Sequence, residues 1–275
     1  MTIPSEHMYV LGHATNELQR LALQGQYWGE ATLELLQRAG VASGMRVLDV
    51  GCGAGDVSLL AAALVGDSGS ILGVDRSPDA VAAAMARASA VDATRLQFRV
   101  AELDALESDA PFDAVVGRFV LLYLPDPAAT LRRLAGMLRP GGIVAFLELD
   151  LTTARSVPPV PLAEAATEWV RETFRRAQVP IDLGPRVWRV FRAAGLPDPS
   201  LIVRSKAEPA PADAGVRYLA ETVRSLLPMM ERFQVTRSSD VDIESLADRL
   251  REALLAHEAT FLPPSVVGAW TRKPA

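Results

Sequence analysis

Residues 47–58 read VLDVGCGAGDVS, three glycines at alternate positions with an acid on either side. Glycine, lacking a β-carbon, lets the backbone turn tightly and lets a ligand approach the peptide, while a following helix offers free amides. Gly51, Gly53 and Gly55 therefore read as a ligand cradle with Asp49 and Asp56 beside it. The turn has company. Asp75 ends the apolar run of GVDRS, placed to accept both hydroxyls of a ribose, with Arg76 next to it. Glu102, in RVAELDAL, is placed to accept from the exocyclic amine of an adenine, with the Leu103 amide aimed at the ring.

Two nucleotide cofactors compete for such a cradle. A dinucleotide fold calls for G-x-G-x-x-G, with its third glycine packed against a pyrophosphate. That position here is Asp56, whose carboxylate would repel the phosphates at close range. S-adenosylmethionine carries a sulfonium, an ammonium and a carboxylate but no phosphate, so Asp49 and Asp56 are tolerable or useful beside it.

The elements that must position these residues follow from the pattern of residues 45–150. Short β-branched runs alternate with alanine- and leucine-rich stretches, the order of a parallel sheet with crossover helices. Strands are expected at 46–50, 71–74, 96–100, from Phe112, and at 143–150 after the RPGG turn. A helix is expected at 57–64. Ser77–Pro78 and Asp126–Pro127 each place a capping side chain before a proline at the first helical turn. Five strands and four helices fit an open doubly wound α/β sheet, which binds ligands beyond the carboxyl ends of its strands.

VLDVGCGAG, GVDRS, FDAVVGRFVLLYLPDP and LRPGGIVAFLELD, in that order, resemble the successive motifs of the class I S-adenosylmethionine-dependent methyltransferases, in particular their ubiquinone/menaquinone-biosynthesis-like branch. The resemblance covers roughly residues 41–150. It implies a Rossmann-like, seven-stranded, mostly parallel sheet, completed here by SLIVRSKAEPA and by VVGAWTRKP around a helix starting near Asp240. It also implies that Gly51 and Gly53 hold the methionine part of S-adenosyl-L-methionine, Asp75 the ribose, and Glu102 with Leu103 the adenine. Gly117 and Arg118 would lie near the methionine amino group through their carbonyls, or Arg118 would meet the methionine carboxylate. S-adenosyl-L-homocysteine is the implied product, and no metal is called for.

Substrate choice must come from outside these motifs. Residues 1–40 carry Leu18, Leu21, Leu33, Leu35 and Leu36 at helical spacing and resemble the lid of small-molecule methyltransferases. Tyr9, His13, Gln24 and Tyr27 are its pocket candidates, although each is also an ordinary packing residue. Residues 151–275 insert helices with apolar stripes that include Trp169 and, around Pro228, Met229, Met230 and Phe233. Pro228 should kink or break its helix. Arg171, Arg175, Arg176, Arg186, Arg189 and Arg192 read as a solvated face. A phenol, enol or carbon acid would need a base, for which His13 and Tyr123 are the candidates. The leading expectation is methyl transfer to an O, N or C atom of a small, largely apolar acceptor, aromatic or of secondary-metabolite type. Alternatives are a cyclase or isomerase that uses the cofactor without methyl transfer and, disfavoured by Asp56, a nucleotide-dependent oxidoreductase.

Composition bounds these readings. The chain has 275 residues, 49% hydrophobic and 22% charged, enough for one compact domain. The net charge of -5 disfavours nucleic acid as a partner. No apolar run is long enough to span a bilayer and no secretory signal opens the chain, so a cytoplasmic monomer or homodimer is expected. The single cysteine, Cys52, can form no internal disulfide, and three scattered histidines suggest no metal site.

Overall fold

The computed structural model describes residues 15–90 and 95–274, with side chains from residue 20 onward. Helix α1 (Thr15–Ala39) leads into β1 (Arg46–Val50), α2 (Asp56–Val65), β2 (Ser70–Asp75), α3 (Pro78–Ala90), β3 (Leu96–Val100), β4 (Phe112–Arg118), α4 (Pro127–Gly136) and β5 (Leu138–Asp150). There follow β6 (Arg155–Val157), α5 (Pro161–Arg176), α6 (Leu183–Ala193), β7 (Ser200–Arg204), β8 (Glu208–Pro209), α7 (Ala214–Arg232), α8 (Ser238–Val241), α9 (Leu246–Ala256), β9 (Thr260–Leu262) and β10 (Ser265–Arg272).

The main sheet has seven strands in the order β3-β2-β1-β4-β5-β10-β7. β1 pairs in parallel with both β2 and β4, and only β10 runs against its neighbours, β5 and β7. Strands covered on both faces need apolar residues throughout rather than alternation, and Val47, Leu48, Val50, Val115 and Val116 are accordingly buried. Gly268 of β10 faces Leu35 of α1, while its neighbour Val267 faces Gly184 of α6, so these helices cover opposite faces of the sheet. Trp28 of α1 is fully buried, edge-on to Phe119 at 6.4 Å between ring centroids.

Local chemistry sets the helix starts as expected. Ser77 Oγ accepts from the Ala80 amide at 3.3 Å, and Asp126 Oδ1 from the Ala129 amide at 2.8 Å, each with proline next in the chain. Between β3 and β4 the chain forms a single 3-10 turn, Leu103–Ala105, rather than a crossover helix. Its sequence, LDALESDAP, is too short and too polar to bury a helical stripe. Pro228 does not break α7, which runs on to Arg232. Val223, Leu226 and Met230 are buried on either side of it, and that burial offsets the ~3 kcal/mol a proline costs inside a helix. The helix expected near Asp240 is interrupted by Asp242 at φ 45, which separates α8 from α9.

Helices α5, α7 and α9 pack on one another, with α7 also against α1. With a second sheet in the order β6-β9-β8 they form a layer beyond the carboxyl ends of the main strands. Among the described residues no helix is long and apolar enough to cross a membrane.

Candidate active site

The glycine loop after β1 is fastened from below and from the side. The Cys52 amide donates to Val74 O at 3.0 Å, and the Gly53 amide to Asp75 Oδ2 at 2.9 Å. The other carboxylate oxygen of Asp75 accepts the Ser77 amide at 2.9 Å. One side chain thus ties the β1–α2 loop to the β2–α3 turn and keeps acceptor lone pairs for a ligand hydroxyl. Gly51 and Gly53 have φ of +61° and +52°, and a Cβ on Gly51 would stand 2.5 Å from a methyl of Val120. Conformation and space both require glycine at position 51.

Asp56, at the start of α2, does not face the cradle as an open charge. Arg87 donates to its Oδ1 at 2.8 Å, and Arg118 Nη2 lies 3.6 Å from Oδ2. Gly25 of α1 lies directly against this carboxylate, since a Cβ there would come within 2.3 Å of it. Arg118 is buried and also donates to Thr32 Oγ1 at 3.2 Å. Burial pulls its guanidinium below the usual range, opposed by Asp56 and Asp49. Arg20, absent from the expectations above, is buried at the edge of the same space and donates to Gln24 Oε1 at 2.6 Å. Gln24 in turn accepts from the Tyr218 hydroxyl at 3.3 Å. The only sequence trace of this group is an arginine and a glutamine four apart on one helix face.

A continuous cavity of about 1450 Å³ extends from this cradle, past Tyr123, to a wall formed by α5, α7 and the residues after β9. Gly51, Gly53, Asp75, Arg76, Glu102, Leu103, Arg118, Gln24, Tyr123 and Met229 all line it. The Tyr123 ring is tilted against that of Phe174, another lining residue, at 6.3 Å between centroids.

Several expected site residues lie elsewhere. Asp49 sits beneath the loop, fully buried, and accepts from Ser58 Oγ at 2.6 Å. Gly117 faces Phe146 inside the sheet, where a Cβ would stand 2.6 Å from the ring. Tyr27 stacks on Tyr218 at 5.4 Å and donates to Glu208 Oε1 at 2.6 Å, a structural tie between α1 and β8. Met230 is core, because the helical period turns it away when Met229 faces the cavity. Trp169 and Phe233 are partly buried outside the cavity lining, the carbonyl of Phe233 accepting from Arg176. Tyr9 and His13 lie outside the described residues. The arginine face holds for Arg175, Arg176 and Arg186, which pair with Glu168, Glu172 and Asp182. Arg171 departs from it, turning inward to bond the carbonyls of Leu151 and Ala154.

Glu148 of β5 is the second residue that the sequence hid. It is fully buried, and its Oε1 accepts the amides of Val120 at 3.2 Å and Leu121 at 2.9 Å, at the start of the 3-10 turn that carries Tyr123. Oε2 has no partner. Burial pushes the Glu148 carboxyl up to about 8, against the lowering by these amides, and pushes Asp49 up to about 7, against Ser58 and Arg118. Both folded values exceed the unfolded ones near 4. Between those limits the folded protein holds protons that the unfolded chain releases, so their stabilisation is complete below about pH 4 and is lost as pH rises through 7 to 8. We expect the urea midpoint of Glu148→Gln to fall less steeply than that of the wild type between pH 5 and about pH 8.5. Parallel slopes would show that Glu148 is ionised in the fold.

Comparison with known proteins matches this architecture. Residues 42–185 match the family model described as methyltransferase domain. A ubiquinone biosynthesis O-methyltransferase of Parvibaculum lavamentivorans is 27% identical over 209 residues, 76% of this chain and 73% of that protein. Aklanonic acid methyltransferase DauC of a Streptomyces species is 34% identical over 110 residues, which cover 38% of this chain and 48% of that protein. The chain spans about half the length of most of these curated relatives. Among solved structures, the cyclase SpnF superposes with a TM-score of 0.53 at 21% identity, covering 90% of this chain and 80% of that one, a likeness of fold alone. With the glycine loop, Asp75 and the seven-stranded sheet all in place, the chain belongs to the methyltransferase domain family, within the class I S-adenosylmethionine-dependent methyltransferases of the ubiquinone-biosynthesis-like branch.

Proposed function

We propose that this chain methylates a small, largely apolar acceptor, aromatic or of secondary-metabolite type, held between Tyr123 and the α5–α7 wall. The observation that carries the reading is the single cavity of about 1450 Å³, larger than the roughly 300–1,000 Å³ of a one-ligand pocket and continuous from Asp75 to Phe174. Relatives named for ubiquinone biosynthesis and for aklanonic acid support an organic acceptor.

Bound S-adenosylmethionine would supply an electrophilic sulfonium methyl. The residues present fit it. Asp75 offers a carboxylate to the ribose hydroxyls, and the Gly51–Gly53 backbone admits the methionine chain without a Cβ in the way. Arg20 and Arg118 offer guanidinium groups to the methionine carboxylate, while Glu102 and Leu103 border the adenine. Asp56, held by Arg87 and Arg118, leaves the start of α2 without the open positive end that a pyrophosphate needs. Much of the remaining work is alignment and exclusion of water, to which Val170, Phe174 and Leu219 contribute an apolar wall. In this reading residues 1–40 act as a lid, 41–150 hold the cofactor and 151–275 complete the acceptor side of one compact unit, working as a monomer or homodimer.

Calorimetric titration with S-adenosylmethionine, S-adenosylhomocysteine and NADH tests the cofactor, and mass spectrometry of an acceptor panel for a gained methyl tests the reaction. Binding of the first two ligands alone, followed by methylation of an apolar acceptor, is expected; NADH binding alone would overturn the reading. Binding with rearranged but unmethylated product would favour a cyclase. Tyr123 is our candidate base, so Tyr123→Phe should lower kcat roughly a hundredfold with cofactor affinity unchanged. An unaltered kcat would reduce Tyr123 to packing against Phe174.

A further inference from the structure

The turn between β4 and α4 contributes Phe119, Val120 and Tyr123 to the cavity that Gly51 also lines. Val120 packs on the glycine loop, where its methyl would stand 2.5 Å from a Cβ on Gly51. Tyr123 follows one turn later, its amide donating to Val120 O at 3.0 Å. The geometry of residues 119–123 therefore sets where Tyr123 stands relative to the cofactor cradle.

Two successive residues of β5 hold this turn. Leu147 O accepts the Phe119 amide at 2.8 Å, and Glu148 Oε1 accepts the amides of Val120 at 3.2 Å and Leu121 at 2.9 Å. Phe119 has a φ of +56°, a left-handed conformation that a residue with a β-carbon keeps only where its surroundings enforce it. Amides at the start of a helical turn have no acceptor within it, so without Glu148 the buried Leu121 amide would be left unmet. Packing alone does not account for an acid here. Phe146, Leu147 and Leu149 around it are apolar and buried, and its own Oε2 has no partner, which is a cost to stability rather than a gain. Glu148 is not among the residues that line the cavity, so it acts on the site only through the turn.

We propose that Glu148 is a positioning residue of the transfer reaction, holding Tyr123 in place relative to the Gly51–Gly53 cradle through the amides of Val120 and Leu121. The inference rests on the methyl-transfer reading and adds to it a residue that touches neither ligand. Burial raises the Glu148 carboxyl to about 8, opposed by the amides of Leu121, Val120 and Leu122 in turn, so the neutral acid prevails at pH 7 and glutamine is its close mimic.

Fluorine NMR of the full chain labelled with 3-fluorotyrosine tests the geometry without an acceptor. The chain has four tyrosines, and Tyr123→Phe identifies the signal of Tyr123. Glu148→Gln, which can still accept both amides, should keep that signal at its wild-type shift. Glu148→Leu should move or broaden it while leaving those of Tyr27 and Tyr218 in place, and Glu148→Asp, one methylene short of the amides, should do the same should the leucine variant not fold. On an acceptor methylated by the wild type, Glu148→Leu should lower kcat at least about tenfold, but by less than about twofold in a Tyr123→Phe background, with Glu148→Gln within about twofold of wild type. An unmoved Tyr123 signal in the leucine and aspartate variants, a matching shift of all the tyrosine signals, or equal kcat losses with and without the Tyr123 hydroxyl would overturn the assignment. Failure of the wild type to bind S-adenosylhomocysteine, seen calorimetrically, would instead sink the methyl-transfer reading. The Tyr123 signal would still report whether Glu148 holds the turn.

Discussion

Asp75→Ala will weaken binding of S-adenosylhomocysteine by about 2 kcal/mol, roughly thirtyfold in Kd, measured by calorimetric titration. The expected loss combines two effects. The carboxylate is the group placed to accept ribose hydroxyls, and charge-assisted bonds of this kind are the stronger class. It also receives the amides of Gly53 and Ser77, so its removal frees the loop that cradles the ligand. Asp75→Asn separates the contributions: its amide oxygen can still accept one backbone amide, and affinity should fall between wild type and the alanine variant. Wild-type affinity in Asp75→Ala would place the ribose elsewhere in the cavity.

Asp56→Ala will cost about 3 kcal/mol of stability, the lower end of the range for breaking a buried ion pair. Arg118 keeps only 4% of its side chain exposed and Asp56 12%, so the deletion leaves a guanidinium in the interior whose hydrogen-bond acceptor among the described residues is Thr32. Arg87, at 41% exposure, can turn to water and adds little to the penalty. Urea denaturation without cofactor checks the prediction, and Asp56→Asn should recover part of the loss by filling the space against Gly25. A midpoint unchanged in Asp56→Ala would mean that Asp49 alone compensates Arg118.

What could be seen in the sequence depended on how local each determinant was. The glycine loop, Asp75 and the capped helix starts are written in contiguous residues, because turn conformation and capping act over a few positions. β7 and β10 were visible as β-branched runs. The small sheet of β6, β8 and β9 was not, since its strands are two or three residues long and interleaved with prolines. Glu148 reads as one acid in an apolar run, and nothing local says that two amides from the β4–α4 connection close on it. Met229 and Met230 looked alike, and only the packing of α7 on its neighbours decided which one meets the cavity. Arg171 likewise passed for a surface charge until the Leu151–Ala154 turn was seen to wrap its guanidinium.

The order of the main sheet has a consequence for biosynthesis. β10 lies between β5 and β7, although residues 265–272 come after every other strand in the chain. While the ribosome is still short of them, β5 exposes an unpaired edge of buried-type residues, and β7 has no strand to join. β1 to β5 can assemble as they emerge, but the sheet closes only by inserting one late strand between two waiting ones. Such nonlocal closure is slow and leaves a sticky edge open in the meantime. Stalled or nonsense-truncated chains that end before residue 265 should therefore be the species that recruits chaperones and aggregates.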